Sequence, residues 1–175
     1  MNKLYYLIII LSLIIIYFNS CSNNSAYSEN TLRVSLADIP SLGGYSWFAA
    51  RYQDYQPKSD VITAISQTFD RTHHKFYVFG KPACSCEPSQ SRFPYCLKVL
   101  TEAGIDTSYI EIYSMLRTSS IHPYCSIIII RDLPSMFIIK DGVPVYSVID
   151  SLLFYQRNID TVLLVEDFIL RGLQK

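Results

Sequence analysis

Two apolar runs, Met136 to Ile139 and Val143 to Val148, flank Lys140-Asp141-Gly142. Asp and Gly tolerate positive φ, and the tight turn they make has the twist of an antiparallel pair. The segment therefore reads as a β-hairpin, which commits the chain to a sheet with at least one antiparallel pairing. The elements before it alternate. Thr31 to Leu36 places Leu32, Val34 and Leu36 on one side of a short strand. Tyr45 to Tyr55 carries Trp47, Arg51 and Tyr55, and Phe48 and Tyr52, at helical spacing. Ser59 is placed to cap a second helix with Val61, Ile62, Ile65 and Phe69 as its stripe. Phe76 to Phe79 is a buried strand. Ser89 or Ser91 is placed to cap a helix through Val99, stopped near Gly104. Tyr109 to Tyr113 is another strand, and Ile127 to Ile130 fits a strand or a helix end. Asp160 is placed to cap a last helix in which Val162, Val165 and Ile169 face inward. Alternation closed by a hairpin implies an α/β fold: a mixed central sheet with helices on both faces.

The N-terminus reads as an address. Residues 4–18 are apolar except Ser12, follow Lys3, and lead through Asn19 and Ser20 to Cys21. That run is short of the about 20 apolar residues a spanning helix needs, and its flanks are those of a secretory signal. It accounts for much of the mean hydropathy of +0.19. Phe18-Asn19-Ser20-Cys21 resembles the lipobox of bacterial lipoproteins, which implies lipidation at Cys21 and a polar tether over residues 21–30. The expected organisation is a signal peptide over 1–20, a tether over 21–30, an extension over 31–70 and one main domain over 71–175. The extension is too small to bury a core alone. The domain then lies in the cell envelope, lipid-anchored on the periplasmic or extracytoplasmic side, where disulfides persist. Fifteen basic residues balance fifteen acidic ones, so no charge excess points to nucleic acid.

Two segments resemble the thioredoxin family. The first is Ile130-Arg-Asp-Leu133-Pro134-Ser-Met-Phe-Ile-Ile-Lys-Asp-Gly-Val-Pro144. It is similar to the family's Ile-Arg-Gly-Ile-Pro-Thr followed by an apolar strand and Lys-Asn/Asp-Gly. The resemblance implies that Pro134 is cis and faces the active-site cysteines. It also implies that Leu133 and Pro134 hold a substrate chain by backbone hydrogen bonds. The second segment is Phe79-Gly-Lys-Pro-Ala-Cys84-Ser-Cys86-Glu-Pro88-Ser89-Gln-Ser-Arg-Phe-Pro94. Thioredoxins carry Trp-Cys-Gly-Pro-Cys there, then a kinking proline within the helix. Aligned from Pro94, Cys86 takes the nucleophile's place; aligned from Phe79, Cys84 takes it. The first alignment recovers Pro88 and Pro94 without a gap and is preferred. The resemblance covers residues 70–173 and implies thiol–disulfide exchange with a protein substrate. It implies no cofactor and leaves the oligomeric state open.

The departures bear on the chemistry. A cysteine at a helix N-terminus gains thiolate character from the free N–H groups there. Ser89 stands at the usual resolving position, so Cys84 is the candidate partner of Cys86, in a small and strained ring. The tryptophan before the nucleophile and a carboxylate on the preceding strand are both missing. Cys96 reads as a buried core thiol. Cys125 lies nine residues before Pro134, in the segment that the resemblance brings toward the active-site side; it reads as a resolving or second redox cysteine, ranked after Cys84, or as a structural mate of Cys96. The rival function is a redox-inactive fold that binds a protein or a soft metal, copper or zinc, through Cys84, Cys86 and a histidine. His73 and His74 lie at the wrong end of the strand for that, and His122 is the nearer candidate. No paired Cys-x-x-Cys metal motif is present, so no metal site is assigned. Glycine-rich phosphate loops and His-Glu-x-x-His are also absent.

Overall fold

The computed structural model describes residues 31–83, 87–158 and 163–175. The expected signal and tether, together with Asp160 and Val162, lie outside the described residues. Among the described residues no helix is long and apolar enough to cross a membrane.

Five strands form one mixed sheet: β1 (Leu32–Val34), β2 (His74–Gly80), β3 (Ile110–Ser114), β4 (Ser135–Lys140) and β5 (Val143–Ser147). Their order is β1-β3-β2-β4-β5. β2 runs parallel to β3 and antiparallel to β4, and β1 is antiparallel to β3. The hairpin is present: Lys140 pairs with Val143, with Asp141 at φ 53° and Gly142 at φ 80° between them. Both central residues have positive φ, as this two-residue turn requires. Pro144 is tolerated because β5 is an edge strand, and a register shift between Ile138 and Ile139 relaxes the pairing around it.

The helices are α1 (Phe48–Asp54), α2 (Ser59–Thr68), α3 (Glu87–Glu102), α4 (Val148–Gln156) and α5 (Val165–Leu173). Three boundaries differ from expectation. α2 begins at Ser59 with Lys58 in the cap position, where the Lys58 backbone N–H donates to Glu166 Oε1 at 3.1 Å. α3 begins at Glu87, so Ser89 and Ser91 lie inside it. α4 takes Val148, which the apolar pattern had run on from the strand.

Alternation along the strands separates two cores. Phe76, Val78, Ile110, Ile112, Met136 and Ile138 face the helices, meeting Phe93, Leu97 and Leu100 of α3, Ile149 and Leu152 of α4, and Phe168 and Ile169 of α5. Burying each large side chain is worth about 1.5–3 kcal/mol. Tyr77, Phe79, Tyr113, Phe137 and Ile139 face the other way and meet Ile128, Ile130 and Leu133. The fold class is the expected one, an α/β layout of thioredoxin-like form with a mixed sheet. The layers correct one part of that expectation, helices on both faces: the described helices bury their residues in the first core, and an irregular segment, 115–134, covers the second face, because its apolar residues pack on the sheet as extended chain and turns. Within that segment Ile128 and Ile130 are buried while Ile127 and Ile129 are exposed, the alternation of extended chain.

The extension joins the first core through Ile39, Tyr45, Phe48 and Ile65. Glu166 is fully buried on α5 and fastens it, accepting from the Tyr55 hydroxyl as well as from Lys58. Tyr95 stacks on Tyr55 with ring centroids 3.8 Å apart.

Candidate functional site

β2 is buried on both faces because it lies in the middle of the sheet, and it ends at Gly80. The cysteine loop leaves from that end and α3 follows it. A Cβ on Gly80 would lie 2.6 Å from the Phe93 ring, so only glycine lets the first turns of α3 pack across the strand end. Cys84 and Cys86, like Cys21, lie outside the described residues. Pro94 is inside α3, in the place the resemblance gives it.

The other wall comes from β4. Phe79 pairs with Ser135, the first residue of β4, so Pro134 stands level with Gly80 at the same end of adjacent strands. The Leu133–Pro134 peptide is cis. Leu133 is buried, and its N–H donates to Asp132 Oδ1 at 2.8 Å. That amide already has an acceptor in this state. The Ser135 hydroxyl is buried and makes no hydrogen bond.

A third wall was not legible in the sequence. Gly44, at φ 86°, offers its carbonyl to the Ala83 N–H at 2.9 Å and to the Trp47 indole N–H at 3.0 Å. A Cβ there would fall 2.5 Å from the Ala83 nitrogen. Ala83 itself has φ 52°, a conformation costing an L-residue on the order of 1 kcal/mol. The extension thus braces the last described residue before Cys84. Tyr45 completes the brace: its hydroxyl donates to Ser114 Oγ at 2.9 Å, and its ring lies 5.7 Å from Phe93. Burial pushes the Tyr45 hydroxyl up to about 12, so it remains a donor at physiological pH. The Ser41-Leu-Gly-Gly turn signal marked a bend there, but nothing local marks its contact some 40 residues away.

The segment covering the second face returns toward the same end. The Met115 N–H donates to the Gly80 carbonyl at 2.9 Å, and the His122 ring lies 5.1 Å from Phe79. Burial holds the His122 imidazole below its ordinary range. Its Nδ1 accepts from the Tyr124 N–H, which leaves the neutral ring's proton on Nε2. Tyr124 lies flat on Tyr77, 3.9 Å between centroids, and its hydroxyl donates to Glu111 Oε2 at 2.6 Å. Tyr113 donates to the same oxygen at 2.6 Å, and Arg33 lies 3.8 Å away. Burial works to raise the Glu111 carboxyl; the two phenols, Arg33 and Lys75 outweigh it and leave the group below its usual range.

Two cysteines are described. Cys96 is free and buried under α3, and burial pushes its thiol far up, so it is a packing residue, as the sequence suggested. The reading that paired it with Cys125 is excluded, because Cys125 is disulfide-bonded while Cys96 is free. Among the described residues no group of three or more His, Cys, Asp or Glu side chains could hold a metal ion. His73 pairs with Asp141, and His74 Nδ1 accepts from the Asp70 N–H, both at the end of β2 remote from the cysteine loop. Comparison with family models, with curated proteins and with solved structures found no match to this chain.

Proposed function

We propose that the protein is a membrane-tethered, envelope-facing thioredoxin-like protein that carries out thiol–disulfide exchange through its Cys84-Ser85-Cys86 loop. The observation carrying this reading is a register. Phe79 opposite Ser135 brings the strand end that releases the cysteine loop level with Pro134, supplied from about fifty residues further on. Two features support the details. α3 starts at Glu87, the residue that follows Cys86 in sequence, and the free N–H groups of a helix N-terminus favour the thiolate form of a cysteine at that position. Leu116, Ile121, Ile127 and Ile129 stay exposed along the covering segment, an apolar rim suited to a polypeptide substrate.

In the mechanism the Cys86 thiolate attacks one sulfur of a substrate disulfide, and the other substrate sulfur leaves as a thiolate. A second cysteine then attacks Cys86 and frees the substrate's remaining thiolate. Turnover of a protein disulfide substrate by Cys84→Ser and Cys86→Ser variants tests the proposal. Loss of turnover in Cys86→Ser is the expected result. Full activity in both variants would leave a fold that binds a partner without exchanging electrons. Lipid attachment at Cys21 is tested separately, by the mass of the mature N-terminal peptide and its loss in Cys21→Ala.

A further inference from the structure

Resting on the exchange reading, and deepening it, we propose that Cys125 is the resolving sulfur of the site. In the oxidised protein it is joined to a cysteine of the 84–86 loop. The chain has five cysteines. Cys96 is free, and Cys125 is disulfide-bonded. Three candidates remain: Cys21, Cys84 and Cys86. On the tether reading the Cys21 sulfur is occupied by its lipid thioether.

Position favours the loop. The Cys125 N–H donates to the His122 carbonyl at 3.3 Å, and the His122 ring packs on Phe79, one residue before the end of β2. Cys84 is four residues beyond Gly80, a stretch that spans at most about 14 Å. Tyr124 fixes the approach of the segment by its stack on Tyr77 and its bond to Glu111. Chemistry favours it too. A ring closed between cysteines at i and i+2 is strained, whereas a sulfur from a separate segment can meet the loop without that constraint.

The exchange balances as follows. The loop thiolate attacks the substrate disulfide, whose S–S bond breaks as the mixed disulfide forms. The Cys125 thiolate attacks the loop sulfur, the mixed disulfide breaks, and the loop–Cys125 bond forms. The substrate takes up two electrons and two solvent protons and leaves as two thiols. The protein's thiol pair is oxidised, and a dithiol donor protein returns it to the reduced state by the reverse steps.

The test begins with the full chain, alkylated without reduction and digested with trypsin. Cleavage after Lys75, Arg92, Lys98, Arg117 and Arg131 puts the loop cysteines, Cys96 and Cys125 on three different peptides. A linked species joining residues 76–92 to 118–131, lost on treatment with dithiothreitol, is expected. Cys125 recovered alkylated from oxidised protein, or linked to the Cys21 peptide, overturns the inference. Kinetics supply the second arm. Cys125→Ser should lower multiple turnover at least about tenfold and accumulate the substrate mixed disulfide, because attack survives and resolution does not. Wild-type turnover in Cys125→Ser with an inactive Cys86→Ser removes Cys125 from the site and leaves exchange standing. Wild-type turnover in Cys84→Ser and Cys86→Ser alike removes exchange itself. The peptide map on the unmutated chain decides the pairing even if Cys125→Ser does not fold.

Discussion

Tyr124→Phe isolates a single hydrogen bond in the anchor that seats the covering segment. The substitution keeps the ring on Tyr77 and removes only the hydroxyl that donates to Glu111 at 2.6 Å. The Glu111 side chain is 14% exposed, so water replaces the lost donor poorly. A hydrogen bond to a charged group is worth about 1.5–3 kcal/mol. Tyr113 and Arg33 remain on the same oxygen, so the lower end, about 1.5 kcal/mol, is expected. With a urea slope of about 1–3 kcal/mol/M, the midpoint should fall by roughly 0.5–1.5 M at unchanged slope. The sign of the pH dependence follows from Glu111. Its carboxyl lies below the ordinary range in the folded state, so its contribution is present above the unfolded value and is lost as pH falls through the folded one. The gap between wild type and Tyr124→Phe should therefore close in acid. Urea titrations at neutral and strongly acidic pH, with the disulfide kept intact, measure both effects. A neutral-pH midpoint indistinguishable from wild type, or a gap that persists undiminished once Glu111 is protonated, refutes the reasoning.

Gly80→Ala should destabilise by about 1–3 kcal/mol, since its Cβ would fall 2.6 Å from Phe93 in a filled core; a thermal melt of the variant measures it. Cys96 should resist iodoacetamide in the native protein and react after unfolding in urea, read by mass spectrometry, because burial keeps its thiol protonated. The hydrogen bond that the charged His73 imidazole donates to Asp141 raises the His73 imidazole, so the pair's contribution is full below the ordinary histidine range and fades as pH rises through the elevated value. NMR titration should show the His73 midpoint falling toward its ordinary value in Asp141→Asn.

What could be read in advance was what depends on neighbours in sequence. The hairpin is local turn chemistry: Asp141 and Gly142 occupy the positive-φ positions wherever the strands go. β2 and Pro94 of α3 are legible for the same reason. The start of α4 was hidden because Val148 continues an apolar strand pattern, and periodicity cannot mark the residue where one period yields to another. Ile127 to Ile130 fitted strand or helix end and is neither, since an apolar run says how much side chain must be covered and not which hydrogen bonds its backbone will find. The Gly44–Ala83 brace and the Glu111–Tyr124 anchor join residues 39 and 13 apart. Neither pair carries a motif, and both emerge only once the sheet order is known.

The two faces of the sheet differ in how they are held, and this bears on what reduction would do. On the first face helices with their own hydrogen-bond ladders bury most of the large side chains. On the second, the backbone bonds of the cover past Met115, which is tied to Gly80, are short turns: Ser120 to Arg117, Cys125 to His122, Ile127 and Ile128 to Tyr124. Its attachment rests on Met115, His122, Tyr124, Ile128, Ile130 and Leu133. Segments with few buried contacts and little regular hydrogen bonding open at free energies well below the global one. A disulfide at Cys125 ties such a segment to another part of the chain, so breaking it should lower local stability more than global stability. Hydrogen exchange followed by mass spectrometry should show protection in residues 116–130 falling on reduction while β2 and β4 change little. Trp47 is the sole tryptophan and shares the Gly44 carbonyl with Ala83, so its emission should report the same transition at the base of the loop. An equal fall in protection across cover and sheet would mean that the disulfide supports the whole fold, and that its cleavage is damage rather than a step in a cycle.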